Sequence, residues 1–208
     1  MTARWITLWF FLLLLHCSAC PEQNDAAQWT AERFDGNLSG VTVTVTRRVW
    51  EQGPLTETGA DGSPRPELIY ALRCAEAAYN GMARARILRA GGWTAEIEPP
   101  DGETAAWLCE NAGQYGLIPE ANGPVIRLRY VGPVHAAAMR ALGMEQKEYL
   151  RFLRREGQIM LRRKGRSAAW VFCVPEGEAV SFVLPEGAAW EISGDGAGFV
   201  IVAVRSGS

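Results

Sequence analysis

Side chains able to do chemistry are sparse in this 208-residue sequence. It holds two histidines, His16 and His135, and His16 lies inside an apolar leader. With one histidine outside that leader, no His-based zinc site can be assembled, because catalytic zinc takes three protein ligands and keeps a fourth position open. The five cysteines are Cys17, Cys20, Cys74, Cys109 and Cys173. Beyond the leader they show neither a C-x-x-C nor a Cys/His zinc spacing. Cys74 and Cys109 stand in apolar helical contexts and read as buried thiols. The carboxylates are scattered, and their spacing marks no Asp/Glu metal site. What stands out is a pair of cations, Arg127 and Arg129, inside the otherwise apolar run Val125 to Val131.

The stretch from Gly123 to Gly143 positions that pair. Val125 to Val131 reads as a buried strand. Gly132-Pro133 turns the chain, and Pro133 suits the first turn of a helix, where a missing N–H costs nothing. Gly143 closes that helix. Glu145 to Glu156 is a second helix, with Tyr149, Leu150 and Leu153 on its apolar face and Gly157 as its stop. Upstream, Val41 to Thr46 alternates strictly, as a strand with one buried face does. Gln52 to Pro66 is a long Gly/Pro-rich loop. Pro66 to Tyr79 reads as a helix. Met82 to Leu88 reads as a strand, with Gly91-Gly92 turning into a second at Trp93 to Ile97. Asp101 is placed to cap a helix from Gly102 to about Ala112.

The composition, 48% hydrophobic and 21% charged with net charge −2, is that of an ordinary globular protein and carries no nucleic-acid footprint. Arg151, Arg154, Arg155, Arg162, Arg163, Lys164 and Arg166 form a local basic cluster. It reads as a solvated surface, with attraction to anionic lipid or cell-wall polymer as the alternative. Met1 to Cys20 reads as an export signal: Arg4, an apolar run from Trp5 to Leu15 too short to span a bilayer, then Ser18-Ala19-Cys20. The expectation is an extracytoplasmic protein of the cell envelope, lipidated at Cys20 and so held at the membrane. Plain secretion after cleavage at Ala19 is the alternative, and an uncleaved N-terminal anchor a third reading. Residues 21–40 read as a tether.

Trp107-Leu108-Cys109-Glu110-Asn111-Ala112-Gly113-Gln114-Tyr115-Gly116-Leu117-Ile118 is followed in order by Arg129-Tyr130-Val131-Gly132, His135-Ala136 and Glu148-Tyr149-Leu150. This succession resembles the VanY-like D-Ala-D-Ala carboxypeptidases, a family of bacterial zinc metallopeptidases that trim peptidoglycan stem peptides. The likeness covers residues 101–156 and extends back to about residue 66. It implies an α+β fold, a central antiparallel sheet with flanking helices. In the family, zinc is held by the His and Asp of S-x-H-x-x-G-x-A-x-D and by the His of E-P-W-H, whose Glu is the general base. Here Ala78 and Ala85 stand at the first two ligand positions, Arg127 at the third, and Pro124 at the base. Alanine and proline side chains offer zinc no lone pair, and a guanidinium is a cation without an acceptor. His135 matches a family histidine that is not a ligand. The segment carrying the family's substrate-binding arginine is not found.

From Gly157 the sequence changes to short strand-like runs separated by turns, which reads as a small antiparallel β module over 157–208 packed on a carboxypeptidase-like domain over 41–156. The expectation is therefore an exported carboxypeptidase-like domain, a pseudoenzyme without catalytic residues or cofactor. Its partner would be a stem peptide or a cell-envelope protein, with Arg127 as the candidate ligand contact. The alternative is an active D,D-carboxypeptidase with an atypical metal site.

Overall fold

A computed structural model describes residues 29–51, 53–56 and 62–206. The export signal with Cys20, and the tether up to residue 28, lie outside the described residues. The described residues begin with β1 (Trp29–Arg33), β2 (Val41–Thr46) and a single turn, α1 (Arg47–Trp50). Then come α2 (Pro66–Ala78), β3 (Arg86–Gly91), β4 (Thr94–Glu98), α3 (Gly102–Asn111), β5 (Leu117–Asn122) and β6 (Val125–Tyr130). Two helices, α4 (Pro133–Leu142) and α5 (Gln146–Glu156), lead to five strands. These are β7 (Gln158–Arg163), β8 (Arg166–Pro175), β9 (Ala179–Leu184), β10 (Ala189–Gly194) and β11 (Phe199–Arg205). The fold class is α+β with antiparallel sheets.

Local signals place the helices. Pro66 occupies the first turn of α2 with Glu67 beside it, and Leu68, Ala71, Leu72 and Ala75 fall on one buried stripe. Asp101 caps α3, its carboxylate accepting the Thr104 N–H at 2.8 Å. Gly132 (φ 91°) and Gly143 (φ 65°) bracket α4 in conformations that favour glycine. Glu145 and Glu148 close a reciprocal cap at the start of α5. Among the described residues no helix is long and apolar enough to cross a membrane.

Among the described residues the strands form three sheets. One has the order β3-β4-β6-β5. Its inner face, Ala95, Ile97, Leu117, Ile126, Leu128 and Tyr130, packs against Leu68, Leu72 and Ala75 of α2 and Leu108 of α3. A second has the order β1-β7-β8-β11-β10, and a third pairs β2 with β9. The second sheet is buried on both faces. Val134, Met139, Tyr149 and Leu153 of α4 and α5 cover Ile159, Leu161, Val171 and Ile201. On the other side Val45, Trp50, Phe182 and Leu184 cover Val200, Val202 and Val204.

Four expectations are corrected. The tether over 21–40 is broken by β1, which pairs with β7 from Trp29↔Arg163 to Arg33↔Ile159 and seats Trp29 and Ala31 on the core. The division at 156/157 is no break in packing, because α4 and α5 bury their apolar faces on β7, β8 and β11, and β2 pairs with β9. The strand expected from Met82 starts at Arg86. The chain first makes a 3₁₀ turn over Asn80–Arg84, with Met82 turned into the core and its N–H bonded to the Tyr79 carbonyl. Cys109 is exposed, because it falls on the outer side of α3, whereas Cys74 and Cys173 are buried.

Candidate functional site

The side chain of Arg127, which the resemblance sets at the third ligand position, alternates with buried Ile126 and Leu128 and so faces away from the helices. Register places it directly between Glu96 of β4 and Glu120 of β5. Directly opposite residues share a sheet face, so Arg127 lies in the field of two carboxylates. Glu96 is in turn opposite Arg89 of β3. One row across the four strands therefore reads Arg89, Glu96, Arg127, Glu120. On the same face, Arg86 and Glu98 form an ion pair between β3 and β4.

Arg129, two residues further along β6, has a different task. Its guanidinium donates to the Thr56 carbonyl at 2.6 Å. That ties down the segment 53–56, whose Leu55 is fully buried and whose Leu55 N–H donates to Ser193 Oγ at 2.8 Å. Ser193 lies on β10, so this segment bridges the charged sheet face and the five-stranded sheet. Gly53 is in contact with β10 so closely that a Cβ there would come within 2.4 Å of Ser193 Cα.

The remaining family positions do not gather around Arg127. Ala78, the last residue of α2, and Ala85, just after the 3₁₀ turn, pack against the helix-side core, on the other side of the sheet from the row containing Arg127. Pro124 is exposed in the turn between β5 and β6. None of these four side chains offers zinc an electron pair, so the residues present do not fit the metal. Among the described residues, no group of three or more His, Cys, Asp or Glu is placed to hold a metal ion. Two shallow surface depressions among the described residues lie elsewhere. One of about 370 Å³ is on α5, lined by Met144, Glu148, Arg151, Phe152 and Arg155. One of about 590 Å³ is lined by Arg47, Glu176, Glu178 and two glycines.

His135 is buried in α4, its Nδ1 2.9 Å from the Tyr149 hydroxyl. Burial pushes its pKa down to about 3, so the ring is neutral in the folded chain. It has the surroundings of a core residue. No local sequence pattern points to Glu191. This β10 carboxylate accepts the Tyr130 hydroxyl at 3.0 Å, and burial raises its pKa. Its second oxygen abuts Gly132, where a Cβ would come within 2.0 Å of it. That contact gives Gly132 a reason to be glycine beyond its positive φ. The partners are 61 residues apart in the chain, so no local pattern could reveal the contact.

No family model matches the chain. It is 31% identical over 119 residues to a D-alanyl-D-alanine carboxypeptidase of Enterococcus faecium, a match covering 52% of this chain and 38% of that protein. The chain thus spans well under half the length of the curated relative it matches. Among solved structures, the vancomycin-resistance D,D-dipeptidase VanXYg, in complex with a D-Ala-D-Ala phosphinate analogue, aligns over 69% of this chain and 71% of its own. That alignment has a TM-score of 0.48 and 16% identity. The sequence match places the chain in the neighbourhood of the D-Ala-D-Ala peptidases. The chain is thus distantly similar to D-Ala-D-Ala peptidases.

Proposed function

We propose that this chain is an exported, carboxypeptidase-like domain of the bacterial cell envelope that no longer hydrolyses D-Ala-D-Ala through zinc. The observation that carries the reading is the set Ala78, Ala85, Arg127 and Pro124 at the ligand and base positions, split between a core-packed pair, a sheet face and an exposed turn. Hydrolysis by the family's chemistry needs a metal-lowered water pKa and a carboxylate base, and neither can be built from these side chains. Extracytoplasmic placement is supported by the Met1 to Cys20 stretch, which reads as an export signal, and by the likeness to a D-alanyl-D-alanine carboxypeptidase, with Cys20 proposed as the lipid attachment point.

In this reading the scaffold is kept for binding a stem peptide or an envelope protein. Arg127 supplies the cation for a ligand carboxylate, in competition with Glu96 and Glu120. The test is incubation of purified protein with a stem peptide ending in D-Ala-D-Ala, following D-alanine release and, by calorimetry, binding. The expected result is no release, with binding weakened at least about tenfold in Arg127→Ala, the loss of one charge-assisted contact. Turnover overturns the loss of hydrolysis. Equal or absent binding in both proteins removes Arg127 from ligand recognition and leaves it to the cross-strand row.

A further inference from the structure

The outer face of the four-stranded sheet carries a complete row of charge. Arg89, Glu96, Arg127 and Glu120 are successive partners in the three ladders. Across the strands the row reads plus, minus, plus, minus, with steps of about 4.8 Å. Arg89 and Glu120 are exposed, and Glu96 and Arg127 half-exposed. On one side the row is bounded by the Arg86–Glu98 pair, neutral in itself, and on the other by Arg129, held by the Thr56 carbonyl.

An alternating row of four has a useful symmetry. Reversed end for end about its midpoint, between Glu96 and Arg127, every position changes sign. An interface between two identical patches has to be self-complementary under a two-fold rotation. A two-fold axis parallel to the strands, passing between β4 and β6, sets Arg89 over Glu120 of a second copy and Glu96 over its Arg127. All four facing pairs are then opposite in sign. A two-fold axis along the row instead sets like over like at every position. Lateral pairing within one chain leaves capacity for these contacts, since a guanidinium has five donors and a carboxylate about four acceptor sites.

We propose that this face is a self-association surface, on which a second copy of the chain docks about a two-fold axis parallel to the strands. The row is small and polar, which puts the contact in the weak, transient class of interfaces. It is screened by salt, because the charges are not deeply buried. The inference does not depend on whether the chain hydrolyses a stem peptide, but docking and the proposed ligand contact would draw on the same Arg127.

Sedimentation of purified protein at low and high salt tests it. Wild type is expected to show a concentration-dependent monomer–dimer equilibrium that weakens with salt. Glu96→Arg and Arg127→Glu each turn two of the four facing pairs into like-charge pairs, and each is expected to weaken the homodimer roughly tenfold or more. An equimolar mixture of the two variants faces plus, plus, plus, minus against minus, minus, minus, plus, so the heterodimer is expected to recover. That rescue in trans separates the proposal from a ladder acting only within the chain, which is broken in both variants and stays broken on mixing. If either reversal unfolds the chain, Glu96→Gln and Arg127→Gln carry the same test through a smaller weakening. Wild type that stays monomeric at low salt overturns the proposal, and so do single variants that associate like wild type or a mixture without rescue.

Discussion

The two larger sheets differ in how many faces they bury. In the four-stranded sheet, β6 alternates between buried and half-buried residues, apolar towards α2 and α3 and charged on the other side. In the five-stranded sheet, β11 is buried at five consecutive positions from Val200 to Val204, because helices cover one face and the β2–β9 pair with Trp50 covers the other. A one-sided sheet can present a polar surface to a ligand or partner. A two-sided sheet has no such surface and works as a structural centre. The charged face belongs to the part of the chain that resembles a peptidase, and the structural centre to the part that reads as an appendage.

The sharpest way to break this comparison is to remove residues 157–208. If the C-terminal strands were an appendage, residues 29–156 would stay folded. Because Tyr149, Leu153 and Met139 lose the sheet they pack on, the truncated chain is expected to lack cooperative thermal unfolding by circular dichroism. A smaller cut makes the same point. Ile201→Ala, fully buried on β11, is expected to cost about 2–5 kcal/mol in urea unfolding.

Acid probes the core between α4, α5 and the five-stranded sheet. The pKa of His135 is about 3 in the folded chain against an ordinary 6.5. Below pH 6.5 the unfolded chain takes up a proton that the folded chain refuses. Stability is therefore lost as pH falls from 6.5 towards 3, at up to about 1.4 kcal/mol per pH unit. His135→Gln is expected to be less stable at pH 7 but to flatten this part of the profile. At the charged face the effect is smallest. Arg127→Ala is expected to change stability by about 1 kcal/mol or less, since cross-strand charge pairs contribute about 0.2–1 kcal/mol each. A loss comparable to that of Ile201→Ala would mean that the charged face is structural too.

Much of the fold was legible because its signals are local. Pro66, Asp101, Gly132-Pro133, Gly143 and Gly157 mark helix ends within a few residues, and Val41 to Thr46 and Val125 to Tyr130 show their period directly. What escaped depends on distant pairing. Trp29 to Arg33 is too short and mixed to announce a strand, and its partner β7 lies about 130 residues on. Leu55 sits in a loop-like sequence yet is fully buried, because its neighbours come from β10 and α5. The charged row could not be read at all, since its four members lie on four strands and share a face only through their register. Motif order assigned Ala78, Ala85 and Arg127 to the ligand positions, and in the structure these residues do not converge.

The central claim, that the residues at the family's metal site do not fit zinc, is tested most directly by metal content. Protein from zinc-replete culture, dialysed against dilute zinc and then against metal-free buffer, is analysed by mass spectrometry beside a control with zinc-binding stoichiometry. Ala78, Ala85 and Arg127 at the ligand positions predict zinc far below one ion per chain, unchanged in Arg127→Ala. One zinc per chain retained through dialysis would contradict the account.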